Sequence, residues 1–329
     1  MFELNLNLEE NKKNFKEMRS DLVYDVIVIG AGPAAISSAI YAKRKGMKIG
    51  IVAENVGGQV LTTNGIENII GTVSTTGPEF ATSLEKHAKE YEIPFYQGHL
   101  VSKIIDGNKK LVVTDNGVEF KTKSIIIATG AKHRELNVKG EEEFKGKGVH
   151  YCSTCDGPFY RNLDVIVAGG GNSGVEAALD LANIAKSVTI IEYLPELKAD
   201  VVLQEKAKSN SKIKIKVNTA IDEIKGDKFV TEVLCKERTT KELENLKIDG
   251  VFVEIGLRAN TDNFKDIVKT NKIGEIEIDE YNRTSCKGIF AAGDCTTVPY
   301  KQIIIALGEG AKAALSAFNY ILNLSLIHI

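Results

Sequence analysis

Asp25-Val-Ile-Val-Ile-Gly30-Ala-Gly32-Pro-Ala-Ala35 decides the fold of this chain. Four consecutive β-branched residues suit a strand buried on both faces, where no side chain has to meet water. The glycines suit a tight turn, and Pro33 opens an alanine-rich helical stretch to Lys45. Lys48 to Ala53 is apolar again. The unit therefore reads strand, glycine turn, helix, strand. It returns once, as Asp164-Val-Ile-Val-Ala-Gly169-Gly-Gly171-Asn-Ser-Gly174, followed by a helix over Ser173 to Ala185 and a strand over Ser187 to Glu192.

Both turns have the chemistry of a dinucleotide site. Gly30 permits the turn, Gly32 lets the backbone approach a pyrophosphate, and small Ala35 lets helix and strand pack closely. Pro33 and Ala34 start a helix whose free N–H groups face the phosphates. Glu54, at the end of the next strand, suits a ribose hydroxyl. Gly169, Gly171, Asn172, Ser173 and Gly174 repeat the arrangement, with Glu192 in the place of Glu54. Two fingerprints imply two dinucleotides: a nicotinamide that donates hydride and a flavin that relays electrons.

Further strands are expected at Ser124–Gly130, Gly250–Gly256 and Gly288–Asp294. Val101–Phe120 contains Asp-Asn-Gly and reads as a hairpin or meander, and Ile221–Leu246 as its repeat. A small-residue helix is expected over Gly308–Leu322. The segmentation is α/β with two Rossmann-like domains, the second inserted in the first. Residues 22–134 plus 261–323 form the FAD domain and 135–260 the nicotinamide domain, with 1–21 as an N-terminal extension. The 329 residues suffice for two cores. A formal net charge of -2 does not recruit nucleic acid or an acidic membrane. No apolar run is long enough to span a bilayer, and the first residues lack the features of a secretory signal, so the cytosol is the expected compartment.

Of the five cysteines, Cys152 and Cys155 form one close pair, Cys-Ser-Thr-Cys; Cys235, Cys286 and Cys295 are singles. A redox disulfide, a zinc half-site and two buried structural cysteines are the competing readings. The zinc reading lacks two further ligands at suitable spacing, so no metal is expected. A C-x-x-C pair brings two thiols within bonding reach. Asp156 is then a proton carrier or a turn residue in Asp-Gly. His150 is a rival acid–base group, or else a surface or packing residue. Gly293-Asp294, after a strand, could hold a polyol.

Together these residues resemble the low-molecular-weight thioredoxin reductase family, and within it the flavoprotein subunits of alkyl hydroperoxide reductases. Tyr151-Cys-Ser-Thr-Cys-Asp-Gly-Pro158 is similar to the redox loop. Gly169-Gly-Gly-Asn-Ser-Gly-Val-Glu-Ala-Ala178 is similar to the pyridine-nucleotide fingerprint, and Ala291-Ala-Gly-Asp-Cys-Thr-Thr-Val-Pro-Tyr-Lys-Gln302 to the late FAD motif. The resemblance implies that Gly30, Gly32, Pro33, Ala34, Glu54, Gly58, Gln59 and Asn68 line FAD. It adds Thr129, Gly130, Gly293, Asp294, Gln302 and Ile303. It implies that Cys155 faces the flavin, Cys152 attacks the partner disulfide and Asp156 moves the proton, in a homodimer whose nicotinamide domain rotates.

The resulting expectation is an FAD enzyme that passes electrons from NADH through Cys152–Cys155 to a thioredoxin- or glutaredoxin-like carrier or a peroxiredoxin. The alternatives are an NADPH-dependent thioredoxin reductase, an NADH oxidase and a flavin-bound redox sensor. NADH is favoured because Tyr193 to Asp200 contains no Arg, and Lys198 lies among Glu192, Glu196 and Asp200. About 20 residues precede Tyr24 where the peroxide-reductase subunits carry thioredoxin-like domains, so a separate carrier is expected. Leu324 to Ile329 is expected to break the last helix. It matches one reading frame of a transposon sequencing adaptor and is expected to carry no function.

Overall fold

The computed structural model describes residues 15–63 and 65–327. They divide into two compact units. The first comprises residues up to Val60, Glu79–Gly130 and the chain from Ala259; the second comprises Leu61–Pro78 and Ala131–Arg258. The sequence reading left Leu61–Pro78 in the first domain. It forms its own small loop, in which Ile66 and Thr75 exchange backbone hydrogen bonds.

In the first unit β1 (Val23–Ile29), β2 (Ile49–Ala53) and β3 (Phe95–Gln97) run parallel. β4 (Val101–Ile105), β5 (Lys110–Thr114) and β6 (Glu119–Ile127) form the antiparallel meander around Asp115-Asn-Gly117. The sheet order is β3-β2-β1-β6-β5-β4, with Ile289–Ala291 pairing in parallel with the end of β6. Alternate residues of β1 serve opposite cores. Val26 and Val28 pack toward α1 (Pro33–Arg44) and the C-terminal helix, whereas Ile27 and Ile29 pack with Phe120, Ile125 and Phe264. That double burial is why the strand has no polar face.

The C-terminal helix spans Ile303–Ile327, longer at both ends than its small-residue stretch, so the expected break at Leu324 is not found. Residues 328 and 329 lie outside the described residues. The helix meets α1 at backbone distance. Ser38 Oγ donates to Gly310 O at 2.9 Å, Ser37 Oγ donates to Leu307 O at 2.6 Å, and a Cβ on Gly310 would lie 2.1 Å from Ala34 O. The expected N-terminal extension is also partly inside the unit. Glu17 bridges to Phe95, Met18 is buried, and the Phe15 and Phe95 rings lie 4.7 Å apart.

The second unit starts with β7 (Ala131–His133) and β8 (Val149–His150), followed by the short helix Ser153–Asp156. β9 (Asp164–Ala168), the helix Asn172–Ala182, β10 (Ser187–Ile191), the helix Val201–Ser209 and β11 (Ile213–Lys216) repeat the first unit's opening. β12 (Thr219–Gly226), β13 (Val230–Glu237) and β14 (Leu243–Lys247) are the antiparallel repeat of the meander, and β15 (Gly250–Val253) returns to the parallel sheet. The parallel order is β11-β10-β9-β15-β8. Val165 and Val167 face the helices, and Ile166 and Ala168 face the antiparallel sheet. β16 (Leu257–Ala259) pairs with β7 in a two-stranded ribbon where the chain leaves and re-enters the first unit.

Each unit thus has a Rossmann-like opening, and the second is inserted in the first. The repeat extends to atoms. Gly30 has φ +106° and a Cβ there would lie 2.3 Å from Ala128 O; Gly169 has φ +124° and a Cβ would lie 2.3 Å from Glu254 O. Each first glycine is fixed both by backbone conformation and by the neighbouring strand.

Candidate active site

In the first unit the expected residues converge around the start of α1. The Gly57–Gly58 turn lies against Gly32: Gly57 N–H donates to Ala31 O at 2.9 Å, and Gly58 has φ +63°. Gly293, with φ +76°, places its Cα edge against Ala34 and Ala306, so the turn before Asp294 sits where α1 and the C-terminal helix begin. Gln302 O accepts from Ala306 N–H and closes the first turn of that helix after Ile303. Burial holds the Asp294 carboxyl above its usual range. Thr129 and Asn260 are joined reciprocally, Thr129 Oγ1 donating to Asn260 O at 2.7 Å and Asn260 Nδ2 to Thr129 O at 2.9 Å. Asn260 has no local sequence signal; only the returning chain brings it there. Glu54 is exposed just beyond β2, and Gln59 follows the Gly58 turn. Asn68 falls in the segment that groups with the second unit.

The cradle fits a dinucleotide. A Cβ on Gly32 would meet only Gly57 O, at 3.7 Å, and one on Gly171 would meet nothing within 4 Å. Both glycines therefore leave room beside a helix N-terminus where a pyrophosphate can approach.

In the second unit Gly174 is packed on the turn itself, since a Cβ would lie 2.1 Å from Gly169 O. Ser173 is exposed. Asn172 is held by Asp200: Asn172 Nδ2 donates to Asp200 Oδ2 at 3.1 Å, and Asp200 N–H donates to Asn172 Oδ1 at 2.8 Å. Glu192 is buried and bonded to backbone, unlike exposed Glu54. Its Oε2 accepts from Gly170 N–H at 2.5 Å and its Oε1 from Leu194 N–H at 2.7 Å. Arg238, just after β13, reaches the same place. Its guanidinium lies 3.7 Å from the Tyr193 ring centroid, and Nη1 donates to Tyr193 O at 2.9 Å. Nothing in the stretch after Glu192 announces this cation.

Cys152 and Cys155 are joined in a disulfide with Cα atoms 5.3 Å apart. Cys152 caps the Ser153–Asp156 helix, and its Sγ accepts from Cys155 N–H at 3.1 Å. Glu254, just past β15, accepts from Ser153 N–H at 3.4 Å, and its backbone carbonyl is the atom that confines Gly169. One residue therefore joins the disulfide helix to the second glycine turn, at the carboxyl ends of parallel strands. Burial pushes the Glu254 carboxyl up to about 7. Asp156 is buried at the end of the short helix, and His150, which reads from the sequence as a rival acid–base group or else a surface or packing residue, is buried against it. The His133 ring lies tilted against Tyr151, centroids 5.3 Å apart, and burial pushes its imidazole down to about 4.

A model of the pyridine nucleotide-disulphide oxidoreductases matches residues 24–310. The chain belongs to this family. Over 317 residues it is 46% identical to the F subunit of the Escherichia coli (strain K12) alkyl hydroperoxide reductase, covering 95% of this chain and 61% of that one. Over 300 residues it is 48% identical to a Bacillus subtilis (strain 168) protein named NADH dehydrogenase, covering 91% and 59%. It thus spans about three-fifths of the length of these relatives. The solved thioredoxin reductase from Streptococcus pyogenes MGAS5005 superposes with a TM-score of 0.87 at 36% identity, over 92% of this oxidoreductase and 99% of that one. The thioredoxin reductase of Giardia duodenalis gives the same TM-score at 30% identity.

Proposed function

We propose that the chain is an FAD-dependent disulfide reductase of the cytosol that takes electrons from NADH and passes them through Cys152–Cys155 to a disulfide protein. The observation that carries this is the link through Glu254 between the disulfide helix and the second glycine turn. A nucleotide turn and a reducible bond share one short stretch of backbone, an arrangement that neither a zinc site nor a pair of buried structural cysteines calls for.

Gly30, Gly32, Pro33, Ala34, Glu54, Gly58, Gln59, Thr129, Gly130, Gly293, Asp294, Gln302 and Ile303 would hold FAD, with Asn68 in the same role from its own segment. When bound, FAD accepts a hydride and supplies the two electrons that open a disulfide. The residues of this chain do the rest. Two electrons break the Cys152–Cys155 bond, and one proton makes a thiol and a thiolate. The Cys155 N–H on Cys152 Sγ favours charge on Cys152, the sulfur assigned to attack the partner disulfide. Asp156 moves the proton. The acceptor is a thioredoxin- or glutaredoxin-like carrier or a peroxiredoxin, and the active form is a homodimer.

NADH is preferred because the Glu192 carboxylate accepts from a ribose hydroxyl but repels a 2′-phosphate. A second reading, NADPH use, draws support from Arg238, a cation beside Tyr193.

The test is anaerobic titration of the FAD-loaded protein with NADH. NADH should add two titratable thiols per chain to those of the oxidised protein, and add none in Cys152→Ser, where Cys155 is free from the start. Steady NADH consumption in air that survives Cys152→Ser would instead identify an oxidase, and near-zero turnover with every disulfide acceptor would identify a sensor.

A further inference from the structure

His150 ends β8 two residues before Cys152 and is 8% exposed. Its ring stacks on Phe252 of the neighbouring β15, with centroids 5.5 Å apart at 29°. Both ring nitrogens are used. Nε2 lies 2.7 Å from the Tyr160 hydroxyl, and Nδ1 lies 3.3 Å from Asp156 Oδ2. Asp156 is the last residue of the helix that carries the disulfide.

The direction of donation follows from Asp156, whose carboxylate oxygen beside Nδ1 only accepts. Burial, then the charges of Asp156 and Asp249, hold the Tyr160 phenol above the usual tyrosine range, so it keeps its proton. With Nδ1 donating to the Asp156 carboxylate, Nε2 of the neutral ring is the acceptor and the Tyr160 O–H its donor. The proton of the neutral ring is then on Nδ1, facing Asp156. The order is Tyr160 to His150 to Asp156. A buried imidazole is costly unless both nitrogens are satisfied, and here each has one partner.

We propose that His150 is a positioning residue that holds the Asp156 carboxylate through Nδ1–H, with Tyr160 fixing the tautomer. This rests on the reading of Asp156 as the proton carrier. When two electrons break the disulfide, the proton that makes one sulfur a thiol comes from the Asp156 carboxyl, leaving a carboxylate. Donation from Nδ1 stabilises that carboxylate and eases the transfer. The other titratable groups nearby are His133, neutral near pH 7 and within the field of Asp156, Asp249 acting on Tyr160, and Glu254 facing Ser153.

The test uses the FAD-loaded chain with NADH and 5,5′-dithiobis(2-nitrobenzoate) as the probe disulfide. It also follows the alkylation rate of the dithiothreitol-reduced Cys pair against pH. Asp156→Asn first identifies the limb of the pH–kcat profile that belongs to Asp156. His150→Leu should lower kcat about tenfold with KM for NADH unchanged, and move that limb up by roughly one pH unit. His150→Asn, whose amide N–H takes the place of Nδ1–H, should restore it. Tyr160→Phe should move it the same way by less, and decides the matter if His150→Leu does not fold. An unmoved limb in His150→Leu or Tyr160→Phe, or an Asn variant no better than Leu, overturns the proposal. Full activity in Asp156→Asn overturns the proton-carrier reading instead.

Discussion

Glu254 interrupts an otherwise apolar run and has one backbone N–H, from Ser153, as its partner. Burial raises its folded pKa from 4.5 to about 7. A carboxyl raised in this way holds its proton in the folded state after the unfolded chain has released it. Stability from this group is therefore complete below about pH 4.5 and lost as pH rises through 7. The loss is on the order of 3 kcal/mol. Glu254→Gln should melt higher than wild type at pH 8 and match it near pH 4, as thermal denaturation across pH will show. A constant difference at every pH would place the effect in packing. Glu192 and Arg238 set a second outcome. Wild type should favour NADH over NADPH in kcat/KM by on the order of a hundredfold. Glu192→Gln, which keeps an acceptor for one backbone N–H, should narrow that ratio. Arg238→Ala should lower efficiency with NADPH further, and an unchanged NADPH rate would remove Arg238 from the nucleotide site.

At the scale of elements, the contact between α1 and the C-terminal helix depends on an absent side chain. Gly310→Ala pushes a methyl to within 2.1 Å of Ala34 O, so the helices must separate. Overpacking of this kind costs about 1–3 kcal/mol. Because Ala34 also meets Gly293, the variant should bind FAD more weakly, measurable as flavin content after dialysis. The sequence made the long buried strands, the glycine turns and both meanders legible, because these write their needs in consecutive residues, whereas short strands such as Phe95–Gln97, Ala131–His133 and Leu257–Ala259 hold too few residues to show a pattern. It could not reveal Gly310 as a crossing point, since a small-residue helix has no period that says which face is touched. The length of that helix was hidden for a related reason. Ile303 to Leu307 is too apolar to look amphipathic, and its first turn is closed on a backbone oxygen, Gln302 O accepting from Ala306 N–H. Of the site, the Cys pair and the fingerprints were legible because each is local. Asn260, Arg238 and the partners of His150 were not, because each arrives from a distant part of the chain.

For the molecule as a whole, one consequence concerns the acceptor. With a single C-x-x-C among residues 1–329, reduction of a purified peroxiredoxin should be slow and should rise when a small thioredoxin- or glutaredoxin-like protein is added. Full-speed peroxide reduction without it would contradict this. Cys155→Ser should trap the acceptor as a mixed disulfide on Cys152. A different consequence lies in the Thr129–Asn260 pairing. Asn260 N–H also donates to Gly130 O at 3.0 Å, so the two ends of the longer cut in the first unit lie one hydrogen bond apart. The stretch Ala131–Arg258 behaves as a guest spliced into a host at this seam, while Leu61–Pro78 leaves and re-enters the host at another. A short turn ligating Gly130 to Asn260 would close the host without stretching either strand, and the same seam offers a place to graft a different guest onto an unaltered flavin cradle.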